Sequence, residues 1–117
     1  MYGSETFKYT KPKPRENFFK ELEVDIGIEG QQGTDRFTIS VCNEGGLLEL
    51  IHRIHTRFDF VEMSHVLIFK RFDEEMIMGK IRSRVEKIAG KDWDEIANQI
   101  STFMNYEFSP SAPAFDE

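Results

Sequence analysis

The chain has 117 residues, which is enough for one domain with a hydrophobic core but not for two. Its net charge is −6, and the charge is unevenly spread. Residues 1–20 carry five basic and two acidic side chains, whereas the rest carries ten basic and nineteen acidic ones. This acidic body argues against nucleic acid as a partner and favours a basic protein.

Cysteine content and hydropathy indicate the compartment. The one cysteine, Cys42, excludes an internal disulfide framework and fits a reducing environment. It lies in an apolar strand pattern, so we interpret it as core packing rather than as a nucleophile. No signal-peptide-like segment is present, and no apolar run approaches the ~20 residues that span a membrane. We therefore expect a cytoplasmic protein with no membrane partner.

The two ends of the chain differ in composition from its centre. Residues 1–17 are basic, contain Pro12 and Pro14, and lack sustained periodicity. They predict a flexible arm, unless Phe7 and Tyr9 dock on the domain. Residues 109–117 are proline-containing and end acidic, which predicts a flexible tail. A single domain is expected at residues 18–108.

Two strands are predicted after the arm. The first alternates apolar residues with the acidic residues Glu21, Glu23 and Asp25, which would line its outer face. The turn-rich segment Glu29–Asp35 connects it to a second alternating strand, Arg36–Cys42. So short a connection between consecutive strands favours an antiparallel hairpin.

Residues 43–62 have the weakest secondary-structure pattern in the predicted domain. Asn43 to Gly46 breaks the strand, and the leucines and isoleucines that follow predict two turns of helix. An irregular stretch then continues through Glu62. Val66–Phe72 has apolar residues on both faces, which predicts a third strand that is central or well covered.

Two helices and a closing strand follow. Asp73 caps a helix that is predicted to reach about Ala89. Asp92 and Glu95 form a capping-box pattern, and an apolar stripe runs from Trp93 to Met104. Asn105 is expected to end this helix in a left-handed conformation, before a short strand of Tyr106, Glu107 and Phe108. The order β-β-(short α or loop)-β-α-α-β predicts an α+β fold. Its sheet would be mainly antiparallel, with the two later helices on one face.

No pattern of catalytic or cofactor-binding residues is visible. His52 and His55 are spaced for metal binding, but Arg53 and Arg57 beside them would oppose a cation. No glycine-rich loop precedes a lysine and a helix, so a phosphate site is not predicted. Trp93 is interpreted as core. An outward-facing carboxylate is expected for Glu107, with a buried pair to Arg or Lys as the alternative. We expect no catalysis, no metal and no cofactor.

Three motifs, in their order and spacing, resemble a known family. DRFTISVC is followed by a leucine-rich segment, then by HVLIFKRFDEEMI, and finally by KDWDEIANQIS with a closing YEF. This series is similar to the Imm8-type immunity proteins of bacterial polymorphic toxin and contact-dependent inhibition systems, over about Phe18–Phe108. The structural motif residues are Asp92, Trp93, Glu95, Tyr106, Glu107 and Phe108. The chain departs from the family at Tyr106, where Trp is more common, and at Gly46-Leu47, where a Trp-Leu pair is usual.

The resemblance implies a small α+β protein that binds and neutralises a cognate toxin domain, stoichiometrically and without turnover. Because the body is acidic, a basic toxin is expected, and a nuclease is one candidate. The alternative is a small non-catalytic adaptor or structural interaction domain. The sequence does not specify an oligomeric state.

Two surfaces are candidates for toxin binding. The first lies in the irregular 43–62 region, where charge and an aromatic ring occur together: Glu44, Asp59, Phe60 and Glu62. The second is the acidic face of the first strand and its turn: Glu21, Glu23, Asp25, Glu29 and Asp35. The first is ranked higher.

Overall fold

The computed structural model describes residues 7–8, 12 and 16–108, and its fold is α+β as predicted. The rest of the predicted basic arm and the predicted acidic tail, residues 109–117, lie outside the described residues. The elements, in order, are β1 (Phe7–Lys8), β2 (Phe19–Ile26), β3 (Asp35–Cys42), α1 (Glu44–His55), β4 (Val66–Ile68), α2 (Glu74–Glu86), α3 (Trp93–Ile100) and β5 (Asn105–Tyr106).

The predicted hairpin is confirmed as the centre of the sheet. β2 and β3 pair antiparallel along their whole length, from Phe19 opposite Cys42 to Ile26 opposite Asp35. In the turn between them, Gly30 and Gly33 have φ of +86° and +92°, which L side chains rarely adopt. β1 pairs antiparallel with the other edge of β2 and is a strand that the sequence analysis did not predict.

Two short strands share the remaining edge of β3. β5 pairs antiparallel with Phe37–Thr38, and β4 pairs parallel with Ser40–Cys42. The sheet is therefore mixed, although three of the four pairings within the described residues are antiparallel. The parallel pairing arises because α1 connects β3 to β4 as a crossover, and a crossover returns the chain in the same direction.

The main core lies between one face of this sheet and the two later helices, as predicted. Alternation in β2 and β3 turns six side chains to this face, each at most 1% exposed: Leu22, Val24, Ile26, Phe37, Ile39 and Val41. The same hydrophobic cluster contains Ile77, Ile81 and Val85 of α2 and Ile96, Ala97 and Ile100 of α3. Each large aliphatic side chain so buried contributes about 1.5–3 kcal/mol. This burial holds the helices on the sheet.

Helix α1 is longer than the predicted two turns, because it spans twelve residues. The side chain of Asn43 caps it by accepting a hydrogen bond of 2.8 Å from the backbone N–H of Gly46. A Cβ on Gly46 would lie 1.8 Å from the Phe18 carbonyl oxygen, so this glycine permits a close approach of the two backbones. The irregular stretch after the helix is observed as predicted.

Strand β4 corrects one prediction. It covers Val66–Ile68 rather than Val66–Phe72, and Ile68 is 60% exposed. Among the described residues β4 pairs only with β3, so it is an edge strand and not a central one. Apolar residues on both faces of β4 therefore do not indicate a central strand here.

The last helix and the last strand correct a second prediction. α3 ends at Ile100, and the buried Phe103 and Met104 lie in the turn that follows. Asn105 does not end the helix in a left-handed conformation, since it is the first residue of β5. Among the described non-glycine residues, positive φ occurs at His65.

Candidate interaction surfaces

Residues with metal or nucleophilic chemistry are not gathered into a site in the described part of the chain. His52 and His55 are exposed on α1, and no described group of three or more His, Cys, Asp or Glu side chains could hold a metal ion. Burial raises the pKa of the Cys42 thiol to about 11, so at neutral pH it is a protonated core residue. Within the described residues, no helix is both long and apolar enough to cross a membrane.

Asp35 organises a polar cluster that joins β3, α3 and β5. Its Oδ2 accepts hydrogen bonds from the Trp93 indole N–H (2.6 Å) and from the Tyr106 hydroxyl (2.5 Å). Burial first, and the hydrogen bond to Asp35 second, raise the pKa of Tyr106 to about 12. The phenol is therefore a proton donor at any physiological pH.

Aromatic rings enclose this cluster. Phe37 stacks on Tyr106 with ring centroids 4.6 Å apart, and it meets Trp93 edge-on at 6.2 Å. Phe108, 69% exposed, contacts the Tyr106 ring edge-on at 5.4 Å. The motif residues Trp93 and Tyr106 thus converge on Asp35, with Phe108 packed against Tyr106. The sequence pattern had placed Asp35 on a different surface.

A cavity of about 300 Å3 opens beside the cluster, at the end of the β2–β3 hairpin. Trp93 lines one side, and Ile28 gives the apolar surface on another, with the fully buried Ile26 behind it. Polar side chains of the turn and Asp35 complete the lining. Trp93 is half-buried and packs against the core, but it also forms part of a surface feature, which its position in the apolar stripe did not indicate.

The acidic face of β2 is partly neutralised. Arg36 lies directly opposite Asp25 in the hairpin, and its guanidinium is 3.6 Å from Asp25 and 3.5 Å from Glu23. Such half-exposed pairs add little stability, but they reduce the negative charge that a partner would meet. Glu21 and Glu29 are exposed. Asp35 lies on the core side of the sheet, so the structure does not bring it together with the others of this set.

Glu107 takes the predicted outward position. Its carboxylate is exposed and accepts a hydrogen bond of 2.8 Å from the backbone N–H of Arg36. In return, the Glu107 N–H donates to the Arg36 carbonyl at 3.0 Å. The interaction extends β5 pairing past Tyr106. The cap of α3 is also as predicted, because Asp92 Oδ1 accepts from the Glu95 N–H at 2.9 Å.

The higher-ranked candidate surface is divided between the two ends of α1. Asp59, Phe60 and Glu62 are exposed after the helix, and Phe60 is 70% accessible. Glu44 is in the first turn, and a twelve-residue helix separates its ends by about 18 Å. Glu44 instead lines a cavity with Lys70 and Arg71.

Phe58 is a further surface residue, which was not predicted from the sequence. It is 42% exposed, and the Arg57 guanidinium lies 5.8 Å from its ring centroid. The run Phe58-Asp59-Phe60, aromatic and acidic residues in a segment without helical periodicity, was the available signal. We call residues 58–62 the post-helix loop.

Comparison with curated proteins and comparison with solved structures each gave no match. The model of the family described as Immunity protein 8 (Imm8) matches residues 1–110. The match covers all of the described elements, from β1 to β5, and includes the convergent motif residues around Asp35. The chain therefore belongs to the Immunity protein 8 family.

Proposed function

We propose that this protein binds and neutralises a cognate bacterial toxin domain by stoichiometric protein–protein inhibition, without turnover. The observation that carries the proposal is the family match over residues 1–110. Inhibition by binding needs a stable scaffold and an exposed surface rather than a reactive centre. The protein would act in the cytoplasm, where a delivered toxin reaches its target.

The charge of the chain supports a basic partner. The net charge is −6, and the acidic excess lies after residue 20. A negative surface accelerates encounter with a positive one and disfavours other acidic proteins. A nuclease is one such partner, because its substrate-binding cleft must attract phosphates, and acidic side chains can occupy their positions.

The post-helix loop is the surface that we propose for contact with the toxin. Phe58 and Phe60 offer exposed rings, and Asp59 and Glu62 place negative charge beside them. Buried aromatic anchors surrounded by complementary charge are typical of the residues that dominate binding energy. The face of β2 ranks lower, because Arg36 compensates Glu23 and Asp25.

Growth rescue tests this proposal. The C-terminal domain of the protein encoded immediately upstream is induced in cells with or without this chain. We expect growth arrest by that domain alone and recovery with the chain, but no recovery with an unrelated acidic immunity protein. Arrest that persists in the presence of the folded chain would favour the alternative, an adaptor or structural interaction domain.

A further inference from the structure

We propose that the cavity at the end of the β2–β3 hairpin binds the side chain of one arginine on a partner protein. The identification of that partner as a toxin domain rests on the proposed function. Binding of an arginine side chain does not rest on it. We call this cavity the hairpin cavity, and the lining residues that a ligand would meet are Trp93, Asp35, Ile28, Gln31 and Gln32.

The size and walls of the hairpin cavity fit one long side chain. A volume of about 300 Å3 is small for a drug-sized molecule and sufficient for a single residue. Ile28, which is partly exposed, offers apolar surface to an aliphatic stem. The Trp93 side chain lines the same cavity, where its indole can contact a cation. Trp is the best of the aromatic rings for such a contact, and Arg makes it more often than Lys.

Asp35 supplies the charge that selects a cation. Within the described residues, the Asp35 carboxylate accepts hydrogen bonds from the side chains of Trp93 and Tyr106, and both bonds are made to Oδ2. The other oxygen, Oδ1, therefore keeps its capacity to accept hydrogen bonds from a ligand. These two donors also fix the orientation of the carboxylate before a ligand arrives. A guanidinium has several donors in a rigid plane, which allows it to meet Oδ1 while its face lies against the indole.

The surroundings of the cavity are also negative. The charge of Asp94 is close enough to contribute to the raised pKa of Tyr106, and Asp92, Asp94 and Glu95 are exposed at the start of α3. None of the residues that line the cavity within the described part of the chain is Lys or Arg. Arg36, the next residue after Asp35, points to the opposite face, where it pairs with Glu23 and Asp25.

Trp93 allows a direct test, because it is the single tryptophan of the chain. Its fluorescence is followed during titration with N-acetyl-arginine amide at constant ionic strength, with the neutral citrulline derivative and the lysine derivative as comparisons. We expect saturable binding of the arginine derivative in the roughly millimolar range that one anchoring side chain can give. The lysine derivative should bind more weakly and the citrulline derivative not at all.

One substitution at an exposed residue should block the cavity. Gln32 is an exposed turn residue, and Gln32→Lys places a competing cation at the cavity without removing a hydrogen bond of Asp35. It should weaken arginine binding about tenfold or more, equivalent to at least 1.4 kcal/mol. The control is Ser83→Lys, the same charge change at an exposed position of α2, which contributes no residue to the cavity. Ser83→Lys should leave binding unchanged.

Two results would overturn the inference: equal responses to the arginine and citrulline derivatives, or unchanged arginine binding in Gln32→Lys. Neither result bears on growth rescue by the wild-type chain. Conversely, arginine binding that is selective and lost in Gln32→Lys supports the cavity even if growth is not rescued. Failure of the cavity and failure of the proposed function can therefore be told apart.

Discussion

Asn43 and Phe18 are joined by two hydrogen bonds that hold the start of α1 against the start of β2. The backbone N–H of Asn43 donates to the Phe18 carbonyl at 3.2 Å, and the Phe18 N–H donates to Asn43 Oδ1 at 3.1 Å. The same side chain accepts from the Gly46 N–H at 2.8 Å and donates to the Glu16 carbonyl at 3.1 Å. Asn43 is 7% exposed, so one buried side-chain amide bonds three backbone groups and joins the 16–18 segment to the start of α1.

Replacing Asn43 should therefore be costly. Asn43→Ala leaves the buried N–H groups of Phe18 and Gly46 without their acceptor, and we expect a loss of about 2–4 kcal/mol in the free energy of unfolding. Urea denaturation measures it. Asp92→Ala is the matched control, because Asp92 caps α3 from an exposed position and its loss should cost about 1 kcal/mol. Equal losses of unfolding free energy in the two variants would contradict the explanation that the Asn43 bonds are worth more because they are buried.

Two helical glycines should respond in opposite directions to alanine. A Cβ on Gly46 would lie 1.8 Å from the Phe18 carbonyl oxygen, so Gly46→Ala must displace backbone and should destabilise by several kcal/mol. Gly79, in α2, has no heavy atom within 4 Å of an added Cβ. Gly79→Ala should stabilise by about 0.5–1 kcal/mol, because alanine is the better helix former. Thermal denaturation of both variants distinguishes these effects. Destabilisation by Gly79→Ala would contradict the open space found around an added Cβ at that position.

Tyr106 gives a prediction in the alkaline range. Its folded-state pKa of about 12 lies above the ordinary value of 10.0, so the folded protein retains the proton longer than the unfolded chain. The contribution of this hydroxyl to stability should be fully present below pH 10 and should be lost as the pH rises through about 12. The stability difference between wild type and Tyr106→Phe, measured by urea denaturation, should therefore shrink over this range. A difference that stays constant over this range would contradict the raised pKa of the folded state, which burial and the hydrogen bond to Asp35 cause.

Charge reversal separates the candidate toxin-binding residues. Asp59→Lys with Glu62→Lys should weaken toxin binding about tenfold or more, because both exposed charges lie beside Phe58 and Phe60. Glu44→Lys alone should change the affinity little, since Glu44 lies at the other end of α1. Glu21→Lys serves as the comparison on the face of β2. Titration calorimetry measures all three, and the largest effect at Glu21 would reverse the ranking of the surfaces.

Local patterns in the sequence were sufficient for much of the fold. Alternation identified β2 and β3, and the polar residues Asp73 and Asp92 located the starts of two helices. In each case the signal comes from neighbours in sequence, either a period of two or a cap with its own first turn.

Features that depend on distant residues were not predicted. Asn43 to Gly46 correctly predicted the end of a strand, but the start of α1 at Glu44 and the close approach of Gly46 to Phe18 could not be read from the segment itself. The parallel pairing of β4 with β3 depends on the path of the crossover. Asp35 was grouped by charge with Glu23 and Asp25, although the alternation of β3 places it on the side of Phe37. Its partners Trp93 and Tyr106 are 58 and 71 residues away in the sequence.

We propose that this acidic chain inhibits a basic toxin domain by stoichiometric binding. The most direct measurement mixes the purified chain with the upstream-encoded toxin domain at increasing ratios. Residual toxin activity and the mass of the complex are followed at low and high salt. We expect a complex of fixed stoichiometry, toxin activity that falls in proportion to the amount of bound chain, and slower association at high salt. Absence of a complex, or loss of toxin activity with far less chain than toxin, would contradict it.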